Sequence, residues 1–199
     1  MVTQTLSYRF TLMDHQGRPL VRYPWMPGHS FVKAYMKGLH CLWRLLNESS
    51  VEDTDNVARV LRNPVSAASR VMEVVSTAGE IRMGIVVGTG LTAVTMDDHA
   101  LETQIINGTG AGQLLYQPTV VNAVVEAGAN SSTLITRGFT NNSGATVTIF
   151  EAGIYFRWTD DGGTLRYFCM VRDKLGGGQD VPVLDGTTVN VDYLITISA

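Results

Sequence analysis

Two glycines follow an apolar run in GIVVGTGLTAVTMDDHALETQI, residues 84–105. Gly88-Thr-Gly90-Leu-Thr-Ala93 has the spacing G-x-G-x-x-A, which in dinucleotide-binding enzymes lets the backbone approach a pyrophosphate. That chemistry needs a strand before the loop, a long helix after it, and repeated parallel βαβ units. Here the loop runs into Thr95-Met-Asp-Asp-His-Ala-Leu, one short helical turn. Thr95 caps that turn, and Asp97 and Asp98 stand where a helix dipole favours negative charge. A second glycine cluster, NGTGAGQ, comes next. The acid expected about twenty residues past the first glycine falls near Gly108, and Asp97, Asp98 and Glu102 come too early. The expectation is structural: Gly88 and Gly90 shape a sharp bend after a strand, while Thr95 and Asp98 satisfy backbone donors.

Other residue sets are open to similar chemical readings. Asp98-His99 with Cys169 could be drawn as a Cys-His-Asp set, but nothing in the sequence brings them together. Cys169 in YFCMV reads as strand packing. Asp160-Asp161-Gly-Gly offers hard oxygen ligands for calcium, yet lacks spaced further acids and reads as a hairpin turn. Asp97, Asp98 and Glu102 read as a capped, solvated turn rather than a metal cluster. His15, His29 and His40 have no partners at ligand spacing. Arg172-Asp173 comes after an apolar run, which suits an ion pair with a neighbouring strand or subunit. No catalytic residue, metal or cofactor is expected, and the chain is not expected to be an enzyme. Cys41 and Cys169 are the only cysteines. They are expected as buried, reduced thiols.

Composition narrows the partners. The 199 residues suffice for one substantial core, or two small ones. A formal net charge of −3 with only 17% charged residues gives no footprint for nucleic acid or an anionic membrane. Residues 31–46, the longest apolar candidate, are interrupted by Lys33, Lys37, His40 and Arg44, so no membrane span is expected. The opening MVTQTLSYRFTLMD alternates and does not read as a signal peptide. The four N-x-S/T sequons, at Asn47, Asn107, Asn130 and Asn141, are therefore read as turn chemistry.

The elements that must position these residues change character along the chain. Residues 5–13 put Leu6, Tyr8, Phe10 and Leu12 on one face, the period of a half-buried strand. RYPWMPGHS is too rich in proline and glycine for regular structure. The clearest helix begins after Ser30, a plausible N-cap. Phe31, Tyr35, Leu39, Leu42, Trp43 and Leu46 recur at helical spacing, widened by Val32 and Met36, so a large apolar face is expected to dock on something. Residues 48–70 read as a long irregular connection, an arm for a partner. From 71 the pattern is β: 71–76, 82–87, 112–126, 132–140, 145–158, 164–173 and 188–198, separated by AGANS, NNSG, TDDGG and KLGGGQDVPVLDG. Many short strands with tight turns predict a mainly β fold, an antiparallel sandwich of jelly-roll type, with one long helix near the N-terminus. The expected division is 1–70 (strand, helix and arm) and 71–199 (sandwich).

Three runs carry a resemblance: IVVGTGLTAVTMDDHALETQI, then TRGFTNNSGATVTIFEAGIYFRW, then YFCMVRDKLGGGQDVPVLDGTTVNVDYLITIS. In this order they resemble a recurring module of tailed-bacteriophage structural proteins, and HSFVKAYMKGLHCLW resembles the helix that precedes it. The resemblance covers about three quarters of the chain. It implies a virion component that works without turnover, most simply one that decorates or cements the head. A tail, collar or fibre subunit is the alternative within the particle, and a sandwich that binds host glycans is the alternative outside it. The implied partners are other virion proteins, major capsid or tail subunits, together with further copies of the chain. Trp25, Phe31, Tyr35, Trp43 and Trp158 are the expected partner-interface residues. Trp158, at a strand end beside TDDGG, is the foremost of them for a ligand or partner.

Overall fold

The computed structural model describes residues 3–28, 31–65, 69–176 and 180–198. Alternating apolar and polar residues form β1 (Thr3–Met13), which is followed by β2 (Pro19–Arg22), β3 (Met26–Gly28) and helix α1 (Lys33–Arg44). A hairpin, β4 (Glu48–Glu52) and β5 (Ala58–Leu61), precedes β6 (Gly84–Gly88) and the glycine loop. Then come β7 (Leu115–Val121), β8 (Val125–Ala127), β9 (Asn130–Thr140), β10 (Val147–Ile149) and β11 (Glu151–Thr159). Strands β12 (Leu165–Lys174), β13 (Val181–Val183) and β14 (Thr188–Ser198) complete the chain.

All these pairings are antiparallel. The largest sheet runs β2-β1-β14-β9-β7, with β3 also on β1 and β8 also on β9. A second sheet runs β12-β11-β6, and β10-β13 and β4-β5 form two-stranded sheets. The mainly β, antiparallel expectation therefore holds. Strand β1, from the N-terminal side of residue 70, pairs with β14 along its whole length. One core joins the sheets. Tyr8, Phe10 and Leu12 of β1 are buried with Val189, Val191 and Tyr193 of β14, with Ile154 and Phe156 of β11, and with Phe168 of β12.

Several expectations need correction. The helix is 12 residues, not long. Ser30 and His29 lie outside the described residues; α1 starts after Val32, which makes no side-chain cap. It ends where Leu45 turns left-handed, φ 54°, and returns its N–H to Cys41. Residues 48–70 are not an irregular arm, because β4 and β5 pair within them. Asp53 holds the connecting turn, its Oδ1 accepting the Val57 N–H at 2.9 Å and its Oδ2 the Arg59 Nε–H at 2.6 Å. Residues 71–76 form no continuous strand; Glu73 bridges Arg157 of β11 through both backbone and side chain, and Ser76 bridges Thr119 of β7. RYPWMPG does contain regular structure, since β3 pairs with Leu6, Ser7 and Tyr8. Strand β13 stands inside a stretch read as separator, pairing with β10.

Candidate docking surface

The glycine loop does cradle an anion, but the anion belongs to the chain itself. Glu151 opens β11 opposite Gly88 of β6 and is fully buried. Its Oε1 accepts the N–H groups of Thr103 at 2.9 Å and Gly90 at 3.1 Å. Its Oε2 accepts the Glu102 N–H at 3.1 Å and the Arg172 Nε–H at 2.9 Å. A Cβ on Gly88 or Gly90 would fall 2.5 Å or 2.4 Å from Glu151 Oε1. The glycines are thus required by close approach, the physical reason shared with a phosphate loop.

Arg172 extends this clamp outward. Its Nη1 donates to Asp98 Oδ2 at 2.8 Å and its Nη2 to Thr92 Oγ1 at 3.0 Å. Asp98 also accepts the Thr95 N–H and hydroxyl, at 3.0 and 2.9 Å, so Asp98 satisfies a backbone donor as expected, whereas Thr95 donates instead of capping and no helix forms at 95–101. Burial pushes the Asp98 carboxyl up, but Thr95 and Arg172 outweigh it and hold the group below its ordinary value. The Thr92 and Leu91 N–H groups likewise hold Glu102 low. Burial works to lower the Arg172 guanidinium, yet Asp98 and Glu151 carry it above the ordinary value. The expected ion pair of Arg172 with a neighbouring strand is therefore internal, made to β11.

The remaining chemical residues are likewise engaged in structure. Cys169 is fully buried and burial pushes its thiol far up, so it is a protonated thiol resting on the Val171 carbonyl. Asp160 accepts the Thr164 N–H at 2.7 Å and the Arg166 Nε–H at 2.9 Å, closing the β11–β12 turn. A groove of about 160 Å³ between α1, β4 and residues 96–99 is lined by Lys33, Lys37, Glu52, Asp97 and His99 among others. Lys33 pairs there with Asp97, and Lys37 donates to the Ser50 carbonyl.

The five expected interface aromatics are not brought together. Trp158 is a correction: it is 0% exposed, and its Nε1–H donates to the Arg62 carbonyl at 2.7 Å. The chain past β5 folds over the strand end, and α1 lies on the ring, so no ligand reaches it. Phe31 and Tyr35 stack on each other with centroids 4.3 Å apart and are half-buried. Trp25 is 40% exposed and lies against the Arg9 guanidinium, 4.3 Å from its ring centroid.

Trp43 stands out, at 71% exposed. The helix does carry a broad apolar stripe, but it is split: Val32 is buried and Phe31, Tyr35 and Leu42 pack partly buried on the core, while Met36, Trp43 and Leu46 are exposed. Ala34, Gly38 and Cys41 are the buried positions. A Cβ on Gly38 would lie 3.6 Å from the Trp158 ring, so only small residues let α1 sit this close. Met36, 55% exposed, shares the outward face with Trp43, seven residues on, and Leu46 beyond the helix is 51% exposed. The helix end is an apolar surface pointing into solvent.

Several buried charges escaped the sequence reading, Arg137 and Glu151 the most deeply buried of them. Arg137 is on the core side of β9, between Ile135 and Phe139, and is buried. Its donors reach the carbonyls of Gln117, Met83, Ile85 and Glu80 at 2.6–3.1 Å. Burial lowers its guanidinium to about 10. The available signal was parity, a charge on the apolar face of an alternating strand. Glu151, after Val147 and Ile149, gave the same signal. No protein-family model, curated protein or solved structure matches the chain.

Proposed function

We propose that this protein is a non-enzymatic structural component of a tailed-phage virion that decorates or cements the head by protein–protein contact. We read its sheets as a sandwich of jelly-roll type, a reading supported by the single core to which they all contribute. The observation that carries the function is the exposed part of the helix stripe: α1 docks through Ala34, Gly38 and Cys41 with Tyr35 and Leu42 beside them, and leaves Met36 and Trp43 outward. A well-packed monomer rarely exposes its largest apolar side chains in a group without a partner. The interior supports the same reading. Glu151, Arg172 and Asp98 are bound to one another and to backbone groups in a rigid scaffold. On a lattice, weak contacts repeated by a rigid subunit act at high effective concentration.

The test is binding to assembled empty shells of the encoding phage. The protein should cosediment with shells and raise their melting temperature. The double variant Met36→Ser/Trp43→Ser should fold normally and lose both effects. Binding to isolated tails but not to shells would move the assignment to the tail. A change in tryptophan fluorescence with host polysaccharide, and no shell binding, would replace it with glycan recognition.

A further inference from the structure

The largest sheet has a second face. Tyr8, Phe10 and Leu12 point to the core, so Ser7, Arg9 and Thr11 point to the other side, where Ser7 and Arg9 are part-exposed and Thr11 and Asp192 are already buried. Register extends that outer face across the sheet: Ser7 beside Leu194 and Leu134, Arg9 beside Asp192 and Thr136, Thr5 beside Thr196 and Ser132. Val120 continues the Thr136 row and Val125 the Ser132 row, and both are exposed. Trp25 lies over Arg9 at the opposite margin.

We infer that this face is an interface with a second copy of this chain, sheet stacked on sheet across a two-fold axis. Size supports it. Strands β1, β9 and β14 are each 11 residues long. At about 3.3 Å per residue they run about 36 Å, and with the shorter β7 and β8 as the fourth, four strands each occupying about 4.8 Å cover about 19 Å. The projected face is about 700 Å², against about 800 Å² per partner in a stable interface. Charge supports it too. Arg9 and Asp192 neutralise each other at 2.7 Å, and the neighbouring rows offer Ser, Thr, Leu and Val. Apart from exposed Arg22, opposite Thr11 at the β2 margin, identical faces of this kind meet without like-charge opposition.

The geometry also selects faces over edges. Strand β7 holds Pro118, and pairing to β9 is interrupted between Val121 and Val125, where β8 resumes it. Proline and irregularity are the usual ways an edge is closed to strand addition. Two such faces stacked about 10 Å apart enclose Leu134, Leu194, Val120 and Val125, with Trp25 at the margin.

Sedimentation equilibrium of the purified full chain tests this, independently of whether the protein is found in virions. The expected result is a dimer. Leu194→Arg should raise the dissociation constant at least tenfold with an unchanged circular dichroism spectrum, while Trp43→Ser leaves the dimer intact. Should Leu194→Arg misfold, Ser132→Arg on the same face replaces it, with the same expected loss. A monomer at every concentration, a trimer, or a dimer indifferent to the arginine on this face would each overturn the inference.

Discussion

Arg172 donates its Nε–H to Glu151 Oε2 at 2.9 Å, with the two side chains 3% and 0% exposed. A buried pair of this kind ties residues 88–103 to the β11–β12 sheet. Removing one partner leaves the other charge buried, at a cost of about 3–5 kcal/mol. Arg172→Met should therefore lower stability by about that amount in urea unfolding. The double variant Arg172→Met/Glu151→Gln should lose less than the sum of its two single variants.

The same substitution at two glycines should have opposite signs. Gly90→Ala drives a Cβ against Glu151 Oε1 and Glu102, at 2.4 and 2.6 Å, and should destabilise the fold. Gly38→Ala has ordinary van der Waals space beneath α1 and removes a helix-interior glycine. It should stabilise by up to about 1 kcal/mol. Paired thermal melts read both.

Two tryptophans divide along the same line. Trp158→Ala empties a fully buried site and should cost about 3–5 kcal/mol. Trp43→Ser changes an exposed side chain and should stay within about 0.5 kcal/mol of the parent. Denaturant midpoints separate the two.

Acid should loosen the molecule. The Arg157 side chain holds Glu73 low; Asp98 and Asp160 are also held low, their hydrogen bonds and arginines outweighing burial. A carboxylate lowered on folding contributes stability above its unfolded value, about 4, and loses it as pH falls through the folded value. The melting temperature should be level with respect to these groups from pH 7 to about 5 and fall below about 4. Arg172→Met should partly flatten that fall, since it removes the arginine's share of the Asp98 contribution and leaves the Thr95 bonds in place.

Native thiols should resist alkylation. Burial raises both Cys41 and Cys169, and the thiolate is the reactive form. Iodoacetamide treatment and mass spectrometry should leave both unmodified until denaturant is added.

Local pattern revealed some of this architecture. The alternation Val189, Val191, Tyr193 identifies β14 because one face of that strand is buried. The structural role of Gly88 and Gly90 was readable from the brief turn at 95–101, too short to be the helix of a nucleotide fold. Glu151, the group they accommodate, was not readable, because it lies sixty-one residues beyond Gly90. Only the pairing of β6 with β11 joins them. Trp158 looked exposed because TDDGG comes directly after it, while the residues that cover it, Gly38 and Arg62, belong to distant segments. The helix stripe misled for a related reason. The stripe is wider than the surface α1 docks on: Tyr35 and Leu42 reach the core, and the Trp158 ring under Gly38 leaves Met36 and Trp43 facing outward. Strands β4 and β5 are five and four residues long, too short for a period to announce them. Their turn is held by Asp53 and Arg59, a contact of geometry rather than pattern.

The most direct measurement is quantitative mass spectrometry of density-purified particles from the encoding phage, before and after separating heads from tails. A cementing role predicts this chain in the head fraction, at a fixed ratio to the major shell protein in every preparation. Particles that lack it, with the protein left wholly in the soluble lysate, would contradict a structural role in the virion.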